Sequence, residues 1–139
     1  MVNIEAVGPR VGCGAAIIEN GRILLVRRRR QPEAGCWGLP GGKVDLFEPV
    51  AKAVAREIRE ELGITIEPID LLCVVDQIDQ VNGQHWIAPV FRVDRHEGTP
   101  SILEPDALSS LEWFDLDGLP AGLTEATKQA VAALQRETV

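Results

Sequence analysis

The sequence predicts an α/β fold in which a mixed sheet is covered by helices, and three observations carry that expectation. Two pairs of apolar runs are each broken by an Asn-Gly step, at Asn20-Gly21 and at Asn82-Gly83. A helical segment with separate acidic and apolar faces lies between them, and a second amphipathic segment closes the chain. Strands in pairs with two helices interposed fit a layered α/β arrangement, whose strand order the pattern leaves open.

Each element has its own signal. Residues 11–28 read as a hairpin, because Val-Gly-Cys-Gly-Ala-Ala-Ile-Ile and Arg-Ile-Leu-Leu-Val flank Asn20-Gly21, a dipeptide suited to a tight type I′ turn. From Gln31 to Phe47, Pro32, Gly35, Gly38, Pro40, Gly41 and Gly42 exclude a helix or a central strand, so this stretch is expected to be a loop. A helix should begin near Glu48, with Pro49 in its first turn, and stop at Leu62 before Gly63. Leu71 to Asp79 and Gln84 to Val93 form the second expected hairpin, and Leu111 to Leu116 a further short strand. A closing helix over Thr124 to Glu137 presents Thr127, Ala130, Val131 and Leu134 as its apolar stripe.

At 139 residues the chain fits one domain spanning 1–139, large enough to bury a core without disulfides. Hydrophobic residues make up 45% and charged residues 25%, which suits a globular protein rather than a disordered one. No apolar run is long enough to span a bilayer and the first residues lack a signal-peptide pattern, so a cytoplasmic location and no membrane partner are expected. Cys13, Cys36 and Cys73 lie far apart without a CxxC pair, which suggests buried or half-buried thiols rather than a zinc site. A formal charge of -7 disfavours binding to polymeric nucleic acid. An acidic protein can still accept a phosphorylated small molecule if bound cations reverse the local field.

The chemistry is concentrated between Gly42 and Ile64. Gly42 is followed after five residues by Glu48, then after seven by Arg56-Glu57-Ile58, one residue, Glu60-Glu61, one residue and Gly63-Ile64. At about 100° per residue, Glu57, Glu60 and Glu61 fall on one side of a helix, while Ala51, Val54, Ala55, Ile58 and Leu62 occupy the adjoining arc. Like charges three and four residues apart destabilise a helix by a few tenths of a kcal/mol per pair unless something neutralises them. A hard divalent cation, Mg2+ with Mn2+ as the alternative, would do so and would also bridge to substrate phosphates. The plain alternative is a solvated acidic face balanced by Arg56 and Arg59. For an isolated Glu-Glu pair that alternative would win; here the full spacing and the preceding glycine-rich loop Trp37 to Lys43 outweigh it.

This pattern resembles the Nudix box at every defining position, and chance would produce it at a given start about once in 10⁹. The resemblance implies a Nudix-type α/β/α sandwich with a mixed sheet and metal-dependent hydrolysis of a phosphoanhydride bond. It also implies that Glu57 and Glu61 are metal ligands, with Glu60 a ligand or close partner and the Gly41 carbonyl in the metal shell. Arg56 would orient the carboxylates and Glu48 brace the loop against the helix. Glu57 is the expected general base, although family branches differ in this assignment.

Beyond the box, the stretch Leu24 to Gly42, His85-Trp86, Leu103 to Asp106, Glu112-Trp113 and Leu119-Pro120 look like the MutT-related nucleoside triphosphate pyrophosphohydrolases. That branch implies Arg28 as a substrate contact; the alternative, a solvated strand edge, is the preferred reading for Arg27, Arg29 and Arg30 but not for Arg28. Many relatives carry an acidic residue shortly before the Trp-Phe pair. Here that region reads Ala107-Leu108-Ser109-Ser110, so the role would pass to Glu104 or Asp106 or be absent. Trp37, Trp86 and Phe91 could stack on a base, but core packing is the commoner use of such residues, and His85 is similarly ambiguous. The expected partner is a small-molecule nucleotide, acted on by a monomer or homodimer. The alternatives are an ADP-ribose or nucleoside diphosphate sugar pyrophosphatase and, in a different class, a non-catalytic ligand sensor.

Overall fold

The computed structural model describes residues 8–137. Its elements run β1 (Arg10–Glu19), β2 (Arg22–Arg28), β3 (Trp37–Gly38), β4 (Gly41–Lys43), α1 (Val50–Leu62), β5 (Thr65–Ile66), β6 (Asp70–Asp79), β7 (Gln84–Val93), β8 (His96–Glu97), β9 (Leu108–Asp115) and α2 (Glu125–Glu137). The main sheet is ordered β3-β2-β1-β7-β6, with β4 also on β1 and β9 also on β2. It is mixed, because β1 and β7 run parallel while its other pairs are antiparallel.

Two helices cover the two faces. On β1, Cys13, Ala15 and Ile17 join Leu24 and Val26 of β2 against Ala53, Val54, Ile58 and Leu62 of α1. The intervening Ala16, Ile23 and Leu25 pack on the opposite face with Ala130 and Leu134 of α2. The period-two alternation of a strand therefore splits between two helices, which is why residues 12–17 are continuously buried rather than alternating. The α/β/α sandwich expected from the sequence is the arrangement observed.

The first hairpin turns at Asn20 and Gly21, both with positive φ (52° and 74°), as a type I′ turn requires. Four residues connect β6 to β7, and Asp79 holds that turn by accepting from the Asn82 backbone N–H at 3.2 Å and from Asn82 Nδ2 at 2.6 Å. Pro49 is the N-cap of α1 rather than part of its first turn, and Gly63, at φ 70°, closes the helix by donating its N–H to the Arg59 carbonyl at 3.0 Å.

The expected loop between β2 and α1 contains two short strands, and their placement creates the site. Along one edge β1 pairs with β2 at Ile18 and Glu19, but with β4 at Gly12 to Gly14. On β2, Val26 and Arg27 pair with β3 instead. The strands β1 and β2 thus part, and the segment Trp37 to Lys43 is threaded between them, bonded on both sides. A small antiparallel pair, β5 with β8, and an earlier start of β9 at Leu108 are further departures from the expected elements.

Candidate active site

Helix α1 brings its acidic side to the β4 loop. Glu61 is buried, at 6% exposure, and its Oε1 accepts a hydrogen bond from the Gly41 backbone N–H at 3.1 Å. A Cβ on Gly42 would collide with the Glu57 carboxylate, and one on Gly41 with the Cys13 carbonyl oxygen. These two glycines are therefore required for close approach, of a carboxylate in one case and of neighbouring backbone in the other.

Arg56 is the hub. Its Nε donates to Glu48 Oε2 at 2.7 Å and its Nη2 to Glu48 Oε1 at 2.9 Å, a bidentate pair. Its Nη1 reaches Glu57 Oε1 at 3.0 Å and Glu60 Oε2 at 3.2 Å, and Nη2 also donates to the Lys43 carbonyl at 3.1 Å. Glu48 in turn accepts from the Asp45 N–H at 3.1 Å. One guanidinium so ties the loop before α1, through Glu48 and the Lys43 carbonyl, to two of the helix carboxylates.

The electrostatics follow from this placement. The Arg56 bonds hold the Glu48 carboxyl below its ordinary range and push the Arg56 guanidinium further toward its charged form. Burial pushes Glu57 up, against the opposing pull of Arg56. Glu61 is pushed up to about 8, first by burial and then by the charge of Glu57, with the Gly41 N–H opposing and Glu104 and Arg28 acting more weakly in opposite directions. Burial and the charge of Glu57 together make the ionised form of Glu61 costly until a cation offsets it.

Among the described residues, no three Asp, Glu, His or Cys side chains already stand together in an arrangement ready to hold a metal ion. Glu57 and Glu61, one turn apart on α1, both meet the Gly41-Gly42 loop, whereas Glu60, half exposed, bonds to Arg56. The donors fit a hard divalent cation by chemistry, since all are oxygens and a bound cation would offset the charge that the buried Glu61 carboxyl takes on when it releases its proton. Completing the set requires Glu60 to leave Arg56. Gly41 donates its N–H to Glu61, a bond that leaves its carbonyl available for the role the resemblance implies.

The other expected contacts divide. Arg28 and Glu104 lie within electrostatic reach of Glu61, and Glu104 also acts on Glu57, so both border the carboxylates. Asp106 shares a hollow of about 280 Å³ with Arg30, Leu103 and Glu104. A larger groove of about 920 Å³ lies elsewhere, lined by Glu19, Asp70, Arg92 and His96 among others, and includes none of the carboxylates of α1. Trp37 packs edge-on against Phe114 at 4.9 Å, and Phe91 packs on the α1 core, so both serve the fold. Trp86 lies under Arg10, 5.7 Å from guanidinium to ring, and His85 is exposed on β7. The three thiols are free: Cys13 is buried, with its pKa pushed up to about 11, and Cys36 and Cys73 are half buried.

Glu33 carries no local signal in the sequence. Its carboxylate accepts from the Glu125 backbone N–H at 2.8 Å and from Gln77 Nε2 at 3.0 Å, across 92 and 44 residues of chain. The nearest thing to such a signal is a charged residue between Pro32 and Gly35, where a turn is expected.

Comparison with known proteins agrees with this geometry. The family model of the NUDIX domain matches residues 8–134. The crystal structure of a MutT NUDIX hydrolase from Burkholderia pseudomallei is 60% identical and superposes with a TM-score of 0.90, covering 91% of this chain and 98% of that one. An ADP-ribose pyrophosphatase of Methanocaldococcus jannaschii is 38% identical over 112 residues, 81% of this chain and 65% of that protein. A putative 8-oxo-dGTP diphosphatase 2 of Mycobacterium tuberculosis is 36% identical over 110 residues, 76% of this chain and 77% of that protein. The chain thus spans a little under two thirds of the archaeal relative and most of the other two. With its box residues gathered around one loop and one helix, the chain belongs to the Nudix family.

Proposed function

We propose that the chain hydrolyses a phosphoanhydride bond in a nucleoside diphosphate derivative, with a (deoxy)nucleoside triphosphate converted to monophosphate and pyrophosphate as the leading reaction. The observation that carries this reading is the buried Glu61 carboxylate on the Gly41 N–H, one helical turn from Glu57 on Gly42, beside a loop that presents no side chain at either glycine. Glu57 and Glu61, joined by Glu60 and the Gly41 carbonyl, would hold Mg2+ or Mn2+. Such a cation, when bound, polarises a phosphoryl oxygen and offsets the charge that builds on the departing phosphate.

The chain's own groups supply the rest. Glu57 takes a proton from the attacking water at a carboxylate oxygen as the water oxygen bonds to phosphorus, and the bridging P–O bond breaks with its electron pair leaving on pyrophosphate. Burial raises the proton affinity of Glu57, which suits a base working closer to neutral pH. Arg56 holds that carboxylate in place, and Arg28 receives the phosphate chain at the border of the site. Glu104, within electrostatic reach of both carboxylates, and Asp106, which shares a hollow with it before β9, would meet the substrate.

Hydrolysis of ADP-ribose is the second reading, favoured by the 38% identity to the archaeal ADP-ribose pyrophosphatase and requiring the same attack on phosphorus. Free thiols at Cys13, Cys36 and Cys73 suit the reducing cytoplasm, where this proposal places the enzyme as a monomer or homodimer. Among the described residues no helix is long and apolar enough to cross a membrane. The test is a substrate panel with Mg2+, covering undamaged and oxidised nucleoside triphosphates, ADP-ribose and sugar nucleotides, with products identified. Monophosphate and pyrophosphate from a triphosphate support the leading reading. AMP and ribose phosphate as the main products replace it with the second, and no turnover on any compound rejects both.

A further inference from the structure

Glu33 adopts φ 63°, in the left-handed region, where a residue with a side chain pays on the order of 1 kcal/mol. Its carboxylate offsets that cost with two bonds to distant elements, one to the first turn of α2 through the Glu125 N–H and one to β6 through Gln77. A carboxylate at a helix N-terminus is also favoured by the helix dipole. The loop 31–36 is thereby fastened on one side to α2 and β6. On its other side β2 grips it: Arg27 Nε donates to the Gly35 carbonyl at 3.0 Å, Arg28 Nε to the Pro32 carbonyl at 3.0 Å, and the Gly35 N–H to the Arg28 carbonyl at 2.7 Å.

Arg28 is the link between this loop and the carboxylates. Engaging Nε on the Pro32 carbonyl fixes the plane of the guanidinium, whose remaining N–H groups lie on its two terminal nitrogens. The Pro32 carbonyl is itself held only as well as the loop is held. We propose that Glu33 is a positioning residue: by anchoring loop 31–36 to α2 and β6, it keeps the Pro32 carbonyl where it orients the Arg28 guanidinium toward the phosphate side of the Glu57 and Glu61 site. The part of this inference that concerns substrate affinity rests on the proposed function; the part that concerns Arg28 orientation does not.

The competing explanation is that Glu33 only caps α2, and the experiment separates the two. In the full chain, Glu33→Ala, Glu33→Gln, Arg28→Ala and the Glu33→Ala/Arg28→Ala double variant are compared with wild type by thermal melting, by steady-state kinetics on the best compound of the panel, and by the ¹⁵N–¹H signal of Arg28 Nε. Glu33→Ala is expected to raise KM about tenfold with kcat within about twofold, the pattern of lost ground-state binding. It should also hasten solvent exchange of the Arg28 Nε proton, Glu33→Gln should restore most of both, and Glu33→Ala should add nothing to KM once Arg28 is alanine. A lowered melting temperature with KM and the Nε signal unchanged would make Glu33 a helix cap and overturn the inference. If Glu33→Ala does not fold, Gln77→Ala removes one of the two anchors and is expected to shift KM and exchange in the same direction by about threefold; no shift there overturns it equally. Should wild type turn over nothing in the panel, the proposed function falls while the Nε exchange still decides the role of Glu33.

Discussion

The Arg56 guanidinium grips Glu48 through two parallel hydrogen bonds, Nε to Oε2 at 2.7 Å and Nη2 to Oε1 at 2.9 Å, and the same guanidinium touches Glu57 and Glu60. A loop residue and a helix residue are so coupled that the carboxylates of α1 inherit their position from the loop. Lysine keeps the charge but lacks the planar fork. Arg56→Lys is therefore expected to lose about 1.5–3 kcal/mol of stability in urea unfolding, the range for hydrogen bonds to charged groups. It should also reduce turnover on the best panel compound by at least about tenfold. Wild-type turnover in that variant would show that the fork does not set the carboxylates.

Gly41 and Gly42 are adjacent, yet alanine at the two positions should fail differently. A Cβ at Gly42 meets the carboxylate end of Glu57, which can swing aside, whereas one at Gly41 meets the Cys13 carbonyl and the Gly14 Cα, which are backbone. Gly42→Ala is expected to fold with a melting temperature within a few degrees of wild type but to lose turnover by about a hundredfold or more. Gly41→Ala should cost several kcal/mol or fail to fold, because β1 and β4 must separate. Circular dichroism melts beside activity assays read both outcomes, and equal loss of stability in the two variants would contradict the distinction.

Glu57 and Glu60 are neighbours in sequence with different surroundings. Glu57 is pressed against Gly42 and partly buried, while Glu60 is half exposed; Arg56 bonds to both. Glu57→Gln is expected to lower kcat by orders of magnitude with little loss of fold. Glu60→Gln should act mainly on the Mg2+ concentration needed for half-maximal rate, raising it several-fold. Near-normal kcat in Glu57→Gln would remove that residue as the base.

The parts of this arrangement that were legible in the sequence are those written locally. Asn20-Gly21 encodes its own turn, Gly63 its own helix stop, and the spacing of Glu57, Glu60 and Glu61 follows from the helical repeat. What escaped was set by pairing across the chain. The strands β3 and β4 exist because β1 and β2 part and offer free edges, not because Trp37-Gly38 or Gly41 to Lys43 favour extended structure. The β5 and β8 pair joins residues some thirty positions apart, and β9 begins at Leu108 because Arg28 pairs with it beyond the irregularity after Arg27. In the site, the box spacing singled out Arg56 and Glu48, but nothing local foretold that Arg56 would bond Glu60 as well as Glu57, or that Glu33 would span to α2.

Glu61 makes the stability of the metal-free protein depend on pH, with a sign that can be worked out. Its proton affinity in the fold corresponds to about 8 against an ordinary value of 4.5, so between those limits the folded chain holds a proton that the unfolded chain releases. Stability from this group is complete below about pH 4.5 and is lost as pH rises toward 8; Glu57, displaced the same way by burial, adds to the loss. A tenfold change in proton affinity corresponds to about 1.4 kcal/mol, so the total is on the order of a few kcal/mol. In Glu61→Gln the neutral amide oxygen can still accept from the Gly41 N–H, and the group no longer titrates. Urea unfolding in EDTA at pH 5 and pH 8 should therefore show wild type losing a few kcal/mol relative to Glu61→Gln over that interval. Adding Mg2+ should reverse the loss at pH 8 in wild type, do little at pH 5, where Glu61 is protonated, and stabilise Glu61→Gln far less at either pH. Parallel pH profiles for the two proteins, or equal stabilisation by Mg2+, would mean that the buried carboxylate is not what the cation binds.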